Sequence, residues 1–125
     1  MDYLLIGIGG FLGANARYII AGWVGRALGL SFPYGTFIIN VSGSFFLGLL
    51  MGLFHHHPLD FLHHRLFFAV GFLGAYTTFS TFSYEALQLA QDGQLMSVFI
   101  YIVGSLLFGL AAVFFGFVLG EFFSV

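Results

Sequence analysis

The chain has 125 residues, of which 60% are hydrophobic and 6% charged, with a formal net charge of −2 and no cysteine. Mean hydropathy is +1.04. A soluble domain needs far more surface charge, a transmembrane barrel would alternate in segments of about ten residues, and so small a net charge argues against a nucleic-acid or polybasic partner.

What remains is an integral membrane protein with a single domain over residues 1–125. Without cysteine there is no disulfide frame and no thiolate site. Apolar sequence begins directly after Asp2 with no basic region, and Arg17 interrupts the first block. The reading is that no signal peptide is cleaved and the first block stays in the mature protein. At about 20 apolar residues per crossing, the sequence predicts an all-α fold of four transmembrane helices, near Leu4–Leu28, Tyr34–Phe54, Phe61–Leu89 and Met96–Phe122. Ser31-Phe32-Pro33, His55 to Pro58, and Gln91-Asp92-Gly93 supply the turn chemistry between them.

Gly7, Gly9, Gly10 and Gly13 lie in the first helix, but a dinucleotide fingerprint starting at Gly7 would need glycine where Leu12 stands. Gly9 with Gly13, and Gly10 with Ala14, are instead small residues four apart that let a neighbouring helix approach closely. Arg17 sits about 20 Å along this helix from Leu4. Burying its charge costs several kcal/mol unless it meets water, a carboxylate or carbonyls. It either draws anions into an aqueous vestibule or serves as a snorkelling or clamping group.

The second helix carries Thr36, Asn40, Ser44, Gly48 and Gly52 at spacings of four. The Asn40 amide must find partners in the membrane, and it can offer two donors to an anion or bridge two helices. Five histidines follow, His55, His56, His57, His63 and His64. Such imidazoles can take up Zn²⁺ or Ni²⁺ opportunistically, yet only Asp60 accompanies them, so a solvated or interfacial loop is the favoured reading.

From Gly71 to Glu85 the third helix turns polar and aromatic at once. It is too polar for a lipid face and too aromatic for a solvated loop, which marks it as the first candidate for the working site. Phe79 and Phe82 share a face beside Ser80, Thr81 and Ser83. Gly71 and Gly74 before Thr77-Thr78 predict a break between Gly74 and Thr78, whose freed carbonyls could coordinate a cation. The fourth helix repeats the small stripe with Tyr101, Ser105, Gly109, Ala112 and Gly116. The Ser105 hydroxyl can serve a permeant species or bond the carbonyl one turn back.

Four crossings put both termini on one side, with Arg65 there, Arg26 opposite, Arg17 intramembrane and no lysine. The positive-inside rule then gives almost no bias, which leaves insertion in both orientations open. An antiparallel homodimer would reproduce between two chains the inverted repeat that transporters build within one.

The residues Gly9 to Tyr18, Thr36 to Gly43, and Gly71 to Gly74 with Thr77 to Phe82 together resemble the Fluc (CrcB) family of fluoride channels, and the resemblance covers all four predicted helices. Ala75-Tyr76 departs from it where glycine often comes first. The resemblance implies a dual-topology antiparallel homodimer in the bacterial inner membrane, passing toxic cytoplasmic fluoride outward passively through two pores. It implies that Phe79 and Phe82 line the pores, with Asn40 as the pore amide, Ser105 as the polar fourth-helix position and Arg17 as the vestibule arginine. Thr36 and Glu85 match polar positions near pore openings, and Gly74 and Thr77 match carbonyls that hold a structural Na⁺ between subunits.

Other readings explain less. A small dual-topology multidrug exporter should carry a carboxylate in its first helix, and none lies between Leu4 and Leu28. A scaffold protein would use the glycine stripes but not the Thr-Thr-Phe-Ser-Thr-Phe cluster, and no nucleophile–base pair or metal constellation suggests an enzyme.

Overall fold

Long apolar blocks give long helices, because in hydrocarbon every backbone N–H and C=O must be satisfied within the segment. The computed structural model describes residues 1–56 and 62–124; His57, Pro58, Asp60 and the expected helix start at Phe61 lie outside them. Helix α1 spans Asp2–Leu28 and α2 Tyr34–Leu53. The third crossing, Leu62–Gln91, is composite. It comprises α3 (Leu62–His64), a π-helix π1 (Arg65–Leu73), α4 (Gly74–Tyr76) and α5 (Phe79–Gln91). Helix α6 spans Leu95–Phe123. Among the described residues, four segments are thus long and apolar enough to cross a membrane. The chain is a multi-pass membrane protein.

Observed ends differ from the predicted ones by one or two residues: α1 begins at Asp2 instead of Leu4, α2 stops at Leu53, α5 runs on to Gln91, and α6 extends over Leu95–Phe123. Glycine marks two of the turns for a backbone reason. Gly29 follows α1 at φ 85° and Gly93 stands between α5 and α6 at φ 74°, conformations that a Cβ would strain.

Packing between apolar helices in lipid gains little from the hydrophobic effect and depends on close contact, so small residues decide which faces meet. Helix α6 lies along α2, and π1 lies along α1. At the first seam a Cβ on Gly48 would run into the Val113 carbonyl, and one on Gly116 into the Phe45 carbonyl. Gly52 and Gly120 repeat this one turn further along, against Phe117 and Leu49. At the second seam a Cβ on Gly71 would stand 2.8 Å from the Ile6 carbonyl and 3.1 Å from the Gly9 Cα. Gly13 faces the Phe72 backbone there, while Gly10 is in looser contact. The wider π-turn carries the chain through this contact.

Among the described residues the buried apolar side chains fall into two clusters. Ile39, Leu73 and Tyr76 form one, and Ala86, Leu89 and Tyr101 the other. The outer faces are apolar, with Phe11, Leu106, Phe114 and Phe115 exposed, as a bilayer requires.

Candidate functional site

The third crossing leaves helical geometry at two residues. Thr77 adopts φ −79°, ψ 155° and Thr78 φ −148°, ψ 118°, both extended, between α4 and α5. Gly74, where the sequence reading began its break, is itself helical at φ −62°, ψ −34°. The extended pair is threonine, a β-branched residue that tolerates extension well.

Other groups take over the hydrogen bonds of this segment. The Thr78 N–H, which a continuous helix would send to the Gly74 carbonyl, donates to Asn40 Oδ1 at 2.9 Å. Asn40 Nδ2 donates in return to the Thr78 carbonyl at 3.1 Å. The Thr81 N–H, which would have reached the Thr77 carbonyl, donates to Thr78 Oγ1 at 3.3 Å and caps α5. The Gly74 and Thr77 carbonyls therefore both lose their helical donors. Helix α5 begins here with its positive end, and π1–α4 finishes here with its negative one.

Asn40 thus bridges two helices, as an amide in lipid commonly does. Its second N–H remains for another acceptor. Around it Phe79, Phe82, Ser105, Gly74 and Thr77 line an open groove of about 500 Å³. The Phe79 ring is 80% exposed on the single chain, and its centroid lies 5.8 Å from that of Phe82. Ser105 Oγ is buried without a hydrogen-bond partner among the described residues, so it does not bond the carbonyl one turn back.

One helical turn away, a second layer closes on itself. Glu85 Oε1 accepts from Thr36 Oγ1 at 2.9 Å, and Oε2 accepts from the Tyr101 hydroxyl at 2.7 Å. A carboxylate at membrane depth is costly unless paired or hydrogen-bonded, and here each oxygen has a donor. The Tyr101 ring is fully buried, with Phe82 at 4.9 Å and Phe32 edge-on at 5.4 Å. Thr36 and Glu85 also line a mouth of about 600 Å³ beside Phe32, Gln88 and Asp92.

The two layers follow from sequence spacing. Thr36 and Asn40 are one turn apart on α2, Tyr101 and Ser105 on α6, and Phe82 and Glu85 nearly so on α5, which runs the opposite way. Thr36, Glu85 and Tyr101 therefore stack as one layer beside Asn40, Phe82 and Ser105 as the next.

In the sequence Tyr101 stands out only as a member of the small-residue stripe. A hydroxyl in an apolar helix one turn from Ser105, with Glu85 lacking a partner in its own helix, was the available signal. Arg17 is half-buried on α1 and lines neither cavity; among the described residues it makes no hydrogen bond or ion pair. Beyond the second helix His55, His56, His63 and His64 are all exposed, and the His64 ring stacks on Phe54 at 5.2 Å.

Comparison with known proteins adds an independent line. Residues 4–117 match the family described as CrcB-like protein, Camphor Resistance (CrcB). The chain is 48% identical to the fluoride-specific ion channel FluC of Acidobacterium capsulatum over 121 residues, covering 97% of each. It is 45% identical over 118 residues to the fluoride-specific ion channel FluC of Thermus thermophilus, covering 94% of this chain and 92% of that one. A third, from Rhodopseudomonas palustris and of the same name, is 46% identical over 116 residues, covering 93% and 94%.

Proposed function

The chain belongs to the CrcB family, and on that premise we propose that it is a fluoride-selective channel that lets cytoplasmic fluoride leave passively. The observation that carries this is that Ser105, whose buried hydroxyl has no partner among the described residues, and Asn40, with an N–H to spare, line one groove together with Phe79 and Phe82. Fluoride is small and strongly hydrated, so a pore must replace its water with compact donors. One hydroxyl, one amide N–H and the positive end of α5 supply them. Phenylalanine ring edges, positive by their quadrupole, add a weaker attraction that does not hold the ion too tightly. The protein moves an ion and transforms no substrate.

In this reading the working unit is a homodimer of oppositely inserted chains with two pores in the bacterial inner membrane. Phe79 and its groove lie on the outside of the single chain, and a groove carrying the half-buried Asn40 amide and the extended Thr77–Thr78 backbone would be costly to leave against lipid. A second copy covers the groove and completes each pathway. Glu85, Thr36 and Tyr101 form the polar approach from the mouth, and Arg17 contributes its charge from α1 to an outer vestibule.

The Gly74 and Thr77 carbonyls fit a structural Na⁺ at the centre of the dimer. Each has lost its helical donor, both sit at the negative end of π1–α4, and two chains offer four oxygens, a donor set suited to a hard cation. When bound, the ion ties the two extended segments together by charge. Asn40 meanwhile holds the Thr78 backbone in place.

The test is ion flux from liposomes holding purified protein, with fluoride and chloride compared at equal gradients. Fluoride passes far faster than chloride with no proton gradient applied. Equal fluxes of both halides, or strict proton coupling, would refute the channel reading. Replacing Na⁺ with a large organic cation weakens dimer assembly or conduction, and indifference to that exchange would remove the ion from Gly74 and Thr77.

A further inference from the structure

At the end of the bundle where α2 and α6 finish, a different set of side chains meets. The α2–α6 seam brings backbones so close that a Cβ on Gly52 would stand 2.8 Å from the Glu121 nitrogen and 2.9 Å from the Gly120 Cα. That approach sets the Glu121 side chain beside the residues that follow α2. His55 Nδ1 lies 3.0 Å from Glu121 Oε1. His56 joins them, and one ligand atom from each of the three residues lies within 4.8 Å of the others. The His55 ring is steadied edge-on against Phe117 at 5.3 Å, with the His56 ring at 4.9 Å. Near these imidazoles the sequence itself places no carboxylate but Asp60. Glu121, far away in the chain, corrects that.

We propose that His55, His56 and Glu121 form a binding site for a divalent transition metal of the Zn²⁺ class, which pins the end of α2 to the end of α6. Two imidazoles with one carboxylate are a Zn²⁺ donor set, and the site leaves a coordination position open to water. With bonds of about 2.0–2.2 Å, tetrahedral ligands stand about 3.3 Å apart. His55 and Glu121 already have nearly that separation. His56 is exposed, so a rotamer change closes the remaining gap without moving packed structure. Mg²⁺ and Ca²⁺ prefer all-oxygen shells and are poor competitors for two ring nitrogens. The site is separate from the groove, so it stands or falls independently of fluoride conduction.

The experiment titrates tag-free protein in detergent with Zn²⁺ by calorimetry, and with Co²⁺ followed by its visible absorption. One ion binds per chain. Glu121→Gln and His55→Ala each weaken Zn²⁺ by about tenfold or more, with helix content unchanged by circular dichroism. His63→Ala, which alters a histidine outside the cluster, leaves the affinity as it was, and a large excess of Mg²⁺ does not displace Zn²⁺. The proposal fails if binding is not saturable, if Glu121→Gln binds as tightly as the unaltered chain, if His63→Ala weakens binding equally, or if Mg²⁺ competes.

Discussion

Along the α2–α6 seam backbone meets backbone. Gly48, Gly52, Gly116 and Gly120 each leave the space of a methyl group to a carbonyl or amide of the opposite helix. Between α4 and α5 the backbone instead leaves its helix, and the Asn40 amide and the Thr78 hydroxyl take up the released hydrogen bonds. Both arrangements fix polar backbone in apolar surroundings, but one does so by omitting atoms and the other by supplying them. The first should therefore suffer from any group added, and the second from any donor removed.

The largest effect should come from adding to the seam. Gly116→Leu drives a side chain into the Phe45 carbonyl and destabilises by about 3 kcal/mol, the upper end of overpacking costs. Thermal unfolding and gel filtration should show an early transition and loss of a monodisperse species. Gly7→Ala, with open space around it, is the control. Normal folding of Gly116→Leu would mean that the seam can open.

Removing a donor at the extended segment comes next. Asn40→Asp takes away the N–H that reaches the Thr78 carbonyl and puts a negative charge beside the groove. It also removes the other amide N–H, and losing a donor to a charged ion, about 1.5–3 kcal/mol, corresponds to a roughly 10- to 100-fold fall in fluoride flux. Circular dichroism should show the helices retained. Undiminished flux would take Asn40 out of the conduction pathway and leave it as a clamp alone.

Ser105→Ala should have the smallest effect and the sharpest meaning. The hydroxyl has no partner to lose, so thermal stability should stay within about 0.5 kcal/mol or rise slightly, while fluoride flux falls about two- to fivefold. A drop in stability without a drop in flux would reverse the assignment and make Ser105 a packing residue.

Four crossings could be read from hydropathy, with their described ends within one or two residues, because an apolar run of that length has few other uses. The close approaches at Gly9, Gly13, Gly48, Gly52 and Gly116 were legible as small residues four apart; Gly120 extends the same row. The π-helix was not. No residue in Arg65–Leu73 demands a wide turn by itself, and the turn accompanies the contact of Gly71 with Ile6 and Gly9 on another helix. The site was legible as residue types and illegible as partnerships. Asn40 was recognisable as an amide in need of partners, but its partner is 38 residues away in the chain. The Glu85 contacts to Thr36 and Tyr101 and the meeting of Glu121 with His55 likewise depend on how separate helices align, which no local pattern encodes.

The reciprocal pair between Asn40 and Thr78 has one more consequence, which concerns entropy. With Oδ1 accepting and one Nδ2–H donating to the same residue, the carboxamide plane is locked and its other N–H points in a direction chosen at folding. An arriving anion need not immobilise that side chain, a step that costs about 0.5–1.5 kcal/mol when a free rotamer is frozen on binding. Loosening Thr78 by any route, even one that leaves Asn40 untouched, should therefore weaken the capture of the anion.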